Sequence, residues 1–238
     1  MNNSPSLWMN PLTFPLRAGL AMGWTGSLAT VAITTVSLGS WAGDHVMPRV
    51  WARGVLDLLG IRVDAVGNES LEADRTYVFV SNHESILDGL ALVVSLRQMP
   101  RFVGKDAIGK IPVFGAAWKK LGHLLIDREK PQQAYEILEA AADSIASRYS
   151  IYIAPEGRRK DDIVETFKRG AFVYAKRANV PVVPVAIRGA GKLWKPGQFS
   201  VTPGTLRIRF GEPFLVEDID AAAAQAEAWI RQARRDLP

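Results

Sequence analysis

The heptad Asn82-His83-Glu84-Ser85-Ile86-Leu87-Asp88 follows an apolar run, Tyr77-Val78-Phe79-Val80, and carries a histidine and a carboxylate five positions apart. On a helix that spacing separates two side chains by roughly 140°, and on a strand it puts them on opposite faces. Contact between them therefore requires a turn. With a strand ending near Ser81 and a helix starting near Ser85, whose hydroxyl suits a helix cap, Asp88 falls in the first helical turn and reaches back to the imidazole. His83 is then an oriented general base, with Asp88 setting its tautomer and stabilising the imidazolium. Ser81 or Ser85 as a nucleophile is the competing chemistry, but neither sits in a Gly-x-Ser-x-Gly elbow. Glu84 reads as a solvated first-turn residue of the kind a helix N-terminus favours.

Three further apolar runs follow in order. Gly122-His123-Leu124-Leu125-Ile126-Asp127-Arg128 and Ile151-Tyr152-Ile153-Ala154-Pro155-Glu156-Gly157-Arg158-Arg159 each end in arginine, and Val180-Pro181-Val182-Val183-Pro184-Val185 carries no charge. Guanidinium forks after strand-like runs suit a phosphate held bidentately. Together the four blocks, with Phe167-Lys168-Arg169-Gly170, resemble the glycerolipid acyltransferase family over about residues 60–189. That family orders its blocks as Asn-His-x-x-x-x-Asp, a Phe-Ile-Asp-Arg-like block, Glu-Gly-Thr-Arg and a Val-Pro-Ile-Val-Pro-Val-like block. Two departures stand out: Leu125 replaces an aromatic residue, and Arg158 replaces the threonine of the third block.

The resemblance implies transfer of a fatty acyl group from acyl-CoA or acyl carrier protein to the sn-2 hydroxyl of lysophosphatidic acid, forming phosphatidic acid without a covalent acyl-enzyme. It implies His83 and Asp88 as catalytic residues. Lys105, Arg128, Glu156, Gly157 and Arg159 become the substrate-binding residues, with Glu156 orienting Arg159 or assisting the acceptor's second hydroxyl. Arg158 either touches the headgroup or faces solvent, and the role of Lys168 stays open between phosphate contact and helix start. Glycerol 3-phosphate or another lysophospholipid is an alternative acceptor. Water as acceptor, in a membrane-bound thioesterase or lysolipase, is the alternative from a different class.

Composition narrows the remaining possibilities. Cysteine is absent from the 238 residues, which excludes disulfides, thiolate metal sites and a cysteine nucleophile. The three histidines are dispersed, so no metal site is expected, and nothing calls for a cofactor. A net charge of +5 suits work against anionic lipid or phosphate. The basic residues are scattered and show no nucleic-acid recognition module, so no nucleic-acid partner is expected.

Ahead of these blocks, about 26 residues from Ala18 to Gly43 carry no charge, enough helix at about 1.5 Å per residue to cross a hydrocarbon core. Gly19, Gly23, Gly26 and Ser27 share a small-residue face on which a second helix packs closely in lipid. That second helix is expected from Pro48 to Gly60, with Arg49 and Arg53 on a basic side facing headgroups. Whether the first helix spans the bilayer or re-enters through Gly43-Asp44 is left open by the sequence. The excess of Arg49 and Arg53 over Arg17 points to a membrane protein with its catalytic domain on the cytoplasmic face.

The expected architecture is α/β: a mixed or largely parallel sheet covered by helices, with an N-terminal two-helix membrane segment over residues 1–60 and a catalytic domain over 61–238. Strands are expected at Ile61 to Ala65, Thr76 to Val80, Arg101 to Val103, Leu124 to Asp127, Ile151 to Ala154, Val182 to Ile187 and Thr205 to Phe210. Helices fill most gaps, and residues 189–204 read as a loop.

Overall fold

The computed structural model describes residues 14–157, 159, 164–195, 197 and 200–238. All seven expected strands form: β1 (Ile61–Val66), β2 (Val78–Ser81), β3 (Arg101–Lys105), β4 (Leu124–Ile126), β5 (Ile151–Ile153), β6 (Val182–Arg188) and β7 (Gly204–Phe210). They make one sheet in the order β1-β7-β6-β2-β5-β3-β4. From β6 through β4 every pairing is parallel; β7 joins β6 antiparallel and β1 joins β7 parallel.

The apolar runs are continuous because the central strands are covered on both faces. Val183, Val185 and Ile187 of β6 pack with Phe79 on one face, against α3 (Met47–Leu59) and α4 (Leu87–Ser95). Val182 and Ala186, with Val78 and Val80, face the other way, toward α6 (Pro131–Ile145), α7 (Gly170–Ala178) and α9 (Ile219–Asp236). Alternate residues of one strand thus seed two cores. The stretch expected as a loop after Gly189 contains the short helix α8 (Ala190–Leu193). The remaining α-helix of the domain among the described residues is α5 (Phe114–Lys120), after β3.

The N-terminal region differs from the expected pair of helices. It divides into α1 (Phe14–Ser37), the short α2 (Trp41–His45) and α3, of which α1 is the one long and apolar enough to cross a membrane among the described residues. Pro48 lies in the first turn of α3, and Gly60 closes the helix in the left-handed conformation at φ 70°. Ala52, Val55, Leu56 and Leu59 bury α3 in the core with Phe79, so it is a structural helix of the domain.

Close helix approach does not use the expected small-residue face, since Gly19, Gly23 and Gly26 have open space around them. It uses Gly54, which lies against the Trp24 ring, and Gly43, which lies against Thr35 and Val36. Arg49 makes its bonds within the protein: it donates to the carbonyls of His45, Leu96, Arg97 and Gln98, tying α3 to the end of α4. Arg53 remains outside, paired with Asp57 at 3.8 Å.

Candidate active site

The parallel strands deliver their carboxyl ends to one edge of the sheet, where loops in α/β folds bind ligands. His83 leaves the end of β2 and Lys105 ends β3. Arg128 follows β4 by two residues, and Glu156 and Gly157 follow β5. Arg159 lies beyond them. Arg158 is outside the described residues.

β2 leaves the ladder at Asn82, and the side-chain amide takes over from the main chain. Asn82 Oδ1 accepts from Ile187 N at 2.8 Å and Nδ2 donates to Ile187 O at 2.8 Å, a side-chain continuation of the β2–β6 pairing. The chain then turns into α4. Asp88, in its first turn and fully buried, accepts from Glu84 N at 2.8 Å and Ser85 N at 3.0 Å through Oδ2. His83 Nδ1 approaches the same oxygen at 2.7 Å. Three donors on one oxygen fix the carboxylate's orientation.

The tautomer follows from the other ring nitrogen. Arg159 Nε lies 3.3 Å from His83 Nε2, and a guanidinium can only donate. Nε2 is therefore an acceptor, so in the neutral ring the proton sits on Nδ1 and points at Asp88. A hydroxyl reaching Nε2 would meet a base already oriented, provided the guanidinium moves aside.

Several expectations for this segment are corrected. Ser85 is not the cap of α4: that position is Ile86, with no side-chain cap bond, and Ser85 Oγ donates instead to Trp194 O at 2.8 Å. Asp88 instead reaches back from the first turn to the amides of Glu84 and Ser85, which precede the helix. Ser81 is buried, with its hydroxyl donating to Asn82 O and sharing a hydrogen bond with the Tyr152 hydroxyl, so neither serine stands free as a nucleophile. Glu84 is not solvated but 2% exposed, and accepts from Arg234 Nε at 2.7 Å. The N-terminal-turn preference of glutamate carried no information about a partner 150 positions away.

Arg128 donates to Gly157 O at 2.5 Å and does not pair with Glu129. Gly157 has φ 73°, a left-handed conformation that favours glycine, and a Cβ there would lie 3.1 Å from Lys168 Nζ. Arg128 and Lys168 thus bracket the Gly157 turn. Both line a cavity of about 340 Å³ whose floor includes Val103, Ile126, Leu138 and Ile153. Lys105 is exposed at the same edge but does not line that cavity. Burial, with Arg159 nearby, lowers the pKa of Arg128 from its ordinary value.

Glu156 is buried, and its oxygens have no well-formed hydrogen bond among the described residues, to Arg159 or any other. The backbone amides of His83 and Glu165 lie near it and relieve it partly. Desolvation, reinforced by the Glu165 and Asp88 carboxylates, pushes its pKa up to about 8. His123 is half-buried beside Arg101, accepts from Phe102 N and is pushed down to about 3, chiefly by desolvation.

The sequence pattern of the Acyltransferase family matches residues 62–188. A chloroplastic 1-acyl-sn-glycerol-3-phosphate acyltransferase of Brassica napus is 31% identical over 185 residues, 76% of this chain and 53% of that protein. The human 1-acyl-sn-glycerol-3-phosphate acyltransferase alpha is 28% identical over 222 residues, 90% of this chain and 78% of the relative. The chain thus spans about half the length of the plant relative. The crystal structure of the 1-acyl-sn-glycerophosphate acyltransferase of Thermotoga maritima has the same fold, with a TM-score of 0.74 at 22% identity over 94% of this chain and 97% of that one. With a match that covers the sheet from β1 to β6 and all four sequence blocks, the chain belongs to the acyltransferase family.

Proposed function

We propose that the protein transfers a fatty acyl group from acyl-CoA or acyl carrier protein to the sn-2 hydroxyl of lysophosphatidic acid. His83 Nε2 takes the hydroxyl proton as the oxygen attacks the thioester carbonyl, and Asp88 stabilises the imidazolium. The tetrahedral intermediate collapses with cleavage of the C–S bond, and the imidazolium returns its proton to the departing thiolate. Ester and thiol are the products, and His83 is neutral again. The observation that carries this reading is the 2.7 Å contact of His83 Nδ1 with Asp88, with Nε2 left as the acceptor.

Arg159, Arg128 and Lys105 supply positive charge for the acceptor's phosphate, and Glu156 and Gly157 shape the turn beside it. Arg159 has a second part to play, because it rests on the lone pair that the base needs. Phosphate binding draws the guanidinium away from Nε2, which couples recognition of the headgroup to release of the base. Residues 1–60 form the membrane-facing segment and residues 61–238 the catalytic domain, with α3 shared between them. Leu16, Leu20, Met22 and Val31 of α1 are exposed, an apolar surface suited to lipid, with the catalytic domain on the cytoplasmic face.

The test is purified protein in lipid vesicles offered labelled acyl-CoA or acyl carrier protein with lysophosphatidic acid, other lysophospholipids, glycerol 3-phosphate or water. Phosphatidic acid as the dominant product supports the reading. Hydrolysis of the thioester at the same rate without acceptor contradicts it and favours a thioesterase.

A further inference from the structure

The loop that carries His83 is gripped from its far side by an element outside the four sequence blocks. Glu84 Oε1 accepts from Arg234 Nε at 2.7 Å and from Asn82 Nδ2 at 3.3 Å, and Oε2 accepts from Gly191 N at 3.2 Å. Arg234 sits in the last turn of α9 with a side chain 15% exposed. The grip is returned from the sheet, since Arg188 at the end of β6 donates to the carbonyls of Arg234, Arg235 and Leu237. Burial pushes the Glu84 carboxyl upward and the Arg234 guanidinium pulls it back.

A buried ion pair is weak evidence for stability, because desolvation offsets much of the attraction. Its use is clearer in what it holds. Glu84 N is one of the three donors on Asp88 Oδ2. The residue whose side chain Arg234 clamps therefore anchors, through its own amide, the carboxylate that orients His83.

We propose that Glu84 and Arg234 are positioning residues, which hold the 82–85 loop so that Asp88 and His83 meet in the geometry acyl transfer needs. Neither residue touches the reacting atoms. This rests on His83 acting as the base.

The test compares Arg234→Met, Arg234→Lys and Glu84→Gln with Gln232→Ala, an exposed change in the same end of α9, all in the full chain. Arg234→Met and Glu84→Gln should lower kcat roughly 10- to 100-fold, the scale on which small misplacements act. KM for donor and acceptor should stay within about twofold of wild type, since binding groups are untouched. Arg234→Lys should recover part of the lost kcat, and Gln232→Ala should lose none. Wild-type kcat in folded Arg234→Met overturns the proposal, as does a loss that merely follows the unfolded fraction in thermal melts. Should Arg234→Met fail to fold, the near-isosteric Glu84→Gln carries the test with the same outcomes. Full activity in His83→Ala, by contrast, would mark the base assignment as the failing part.

Discussion

Two buried arginine–carboxylate pairs tie helices to opposite ends of the sheet, and they are built differently. At the carboxyl end, Arg234 and Glu84 join α9 to the 82–85 loop, and both Glu84 oxygens have donors. At the other end, Arg101 at the start of β3 meets Asp44 of α2 at 2.8 Å, with its guanidinium 3.6 Å from the Tyr149 ring centroid. There Asp44 Oδ1 and Arg101 Nε and Nη1 have no hydrogen-bond partner among the described residues. A fully satisfied polar network specifies one arrangement, whereas a partly satisfied one keeps much of its desolvation cost. The first pair therefore specifies one arrangement of the loop after β2, and the second fastens the N-terminal helices at an energetic cost.

The largest expected effect that separates them follows from breaking the second pair on one side. Asp44→Ala leaves Arg101 buried without a counter-charge and should destabilise the protein by about 3–5 kcal/mol in denaturant melts. Replacing both partners, with Asp44→Leu and Arg101→Met, should restore most of that stability, because the desolvation penalty leaves with the charges. If the double variant is as unstable as the single one, the two pairs are alike and the contrast fails.

A smaller effect concerns Arg159. Arg159→Ala should raise KM for lysophosphatidic acid by roughly one to two decades, from the loss of a charged hydrogen bond of about 1.5–3 kcal/mol. The KM for acyl donor should change little. Turnover of an uncharged acceptor such as a monoacylglycerol should rise relative to lysophosphatidic acid, since Nε2 no longer carries the guanidinium. Equal losses for charged and uncharged acceptors would separate Arg159 from headgroup recognition.

A third effect is in pH dependence. The folded-state pKa of Glu156 is raised from 4.5 to about 8, so the folded protein holds a proton there that the unfolded chain has released. Its contribution to stability is full below about 4.5 and falls as pH rises through about 8. Thermal melts across that window should show Glu156→Gln gaining on wild type as pH increases. A constant difference would place the carboxyl in a more polar setting than its burial implies.

The sheet was legible in the sequence because strands covered on both faces read as short apolar runs bounded by turns, and all seven appear within a few residues of their expected limits. The contact between His83 and Asp88 was legible too, since their spacing permits it only across a strand-to-helix turn. The second partner of the loop was not. Glu84 reads as a first-turn carboxylate by a sound local rule, and basic residues such as Arg234 and Arg235 in the last turn of a helix satisfy the helix dipole without any distant partner. What joins them is the packing of α9 across the sheet through Ala226, Ile230 and Ala233, which no local pattern encodes. Asn82 was visible as part of a block, but its bonds to Ile187 depend on β6 lying beside β2. In the N-terminal region the absence of charge marked α1, whereas the bonding of Arg49 and Asp44 to the domain follows from tertiary contacts alone.

The most direct measurement of the central claim is the single-turnover rate of acyl transfer from bound acyl-thioester to lysophosphatidic acid in His83→Ala, alongside equilibrium binding of the acceptor. The rate should fall roughly 10² to 10⁴-fold, the usual contribution of a general base, with acceptor affinity nearly unchanged. A wild-type rate in the variant would contradict the account.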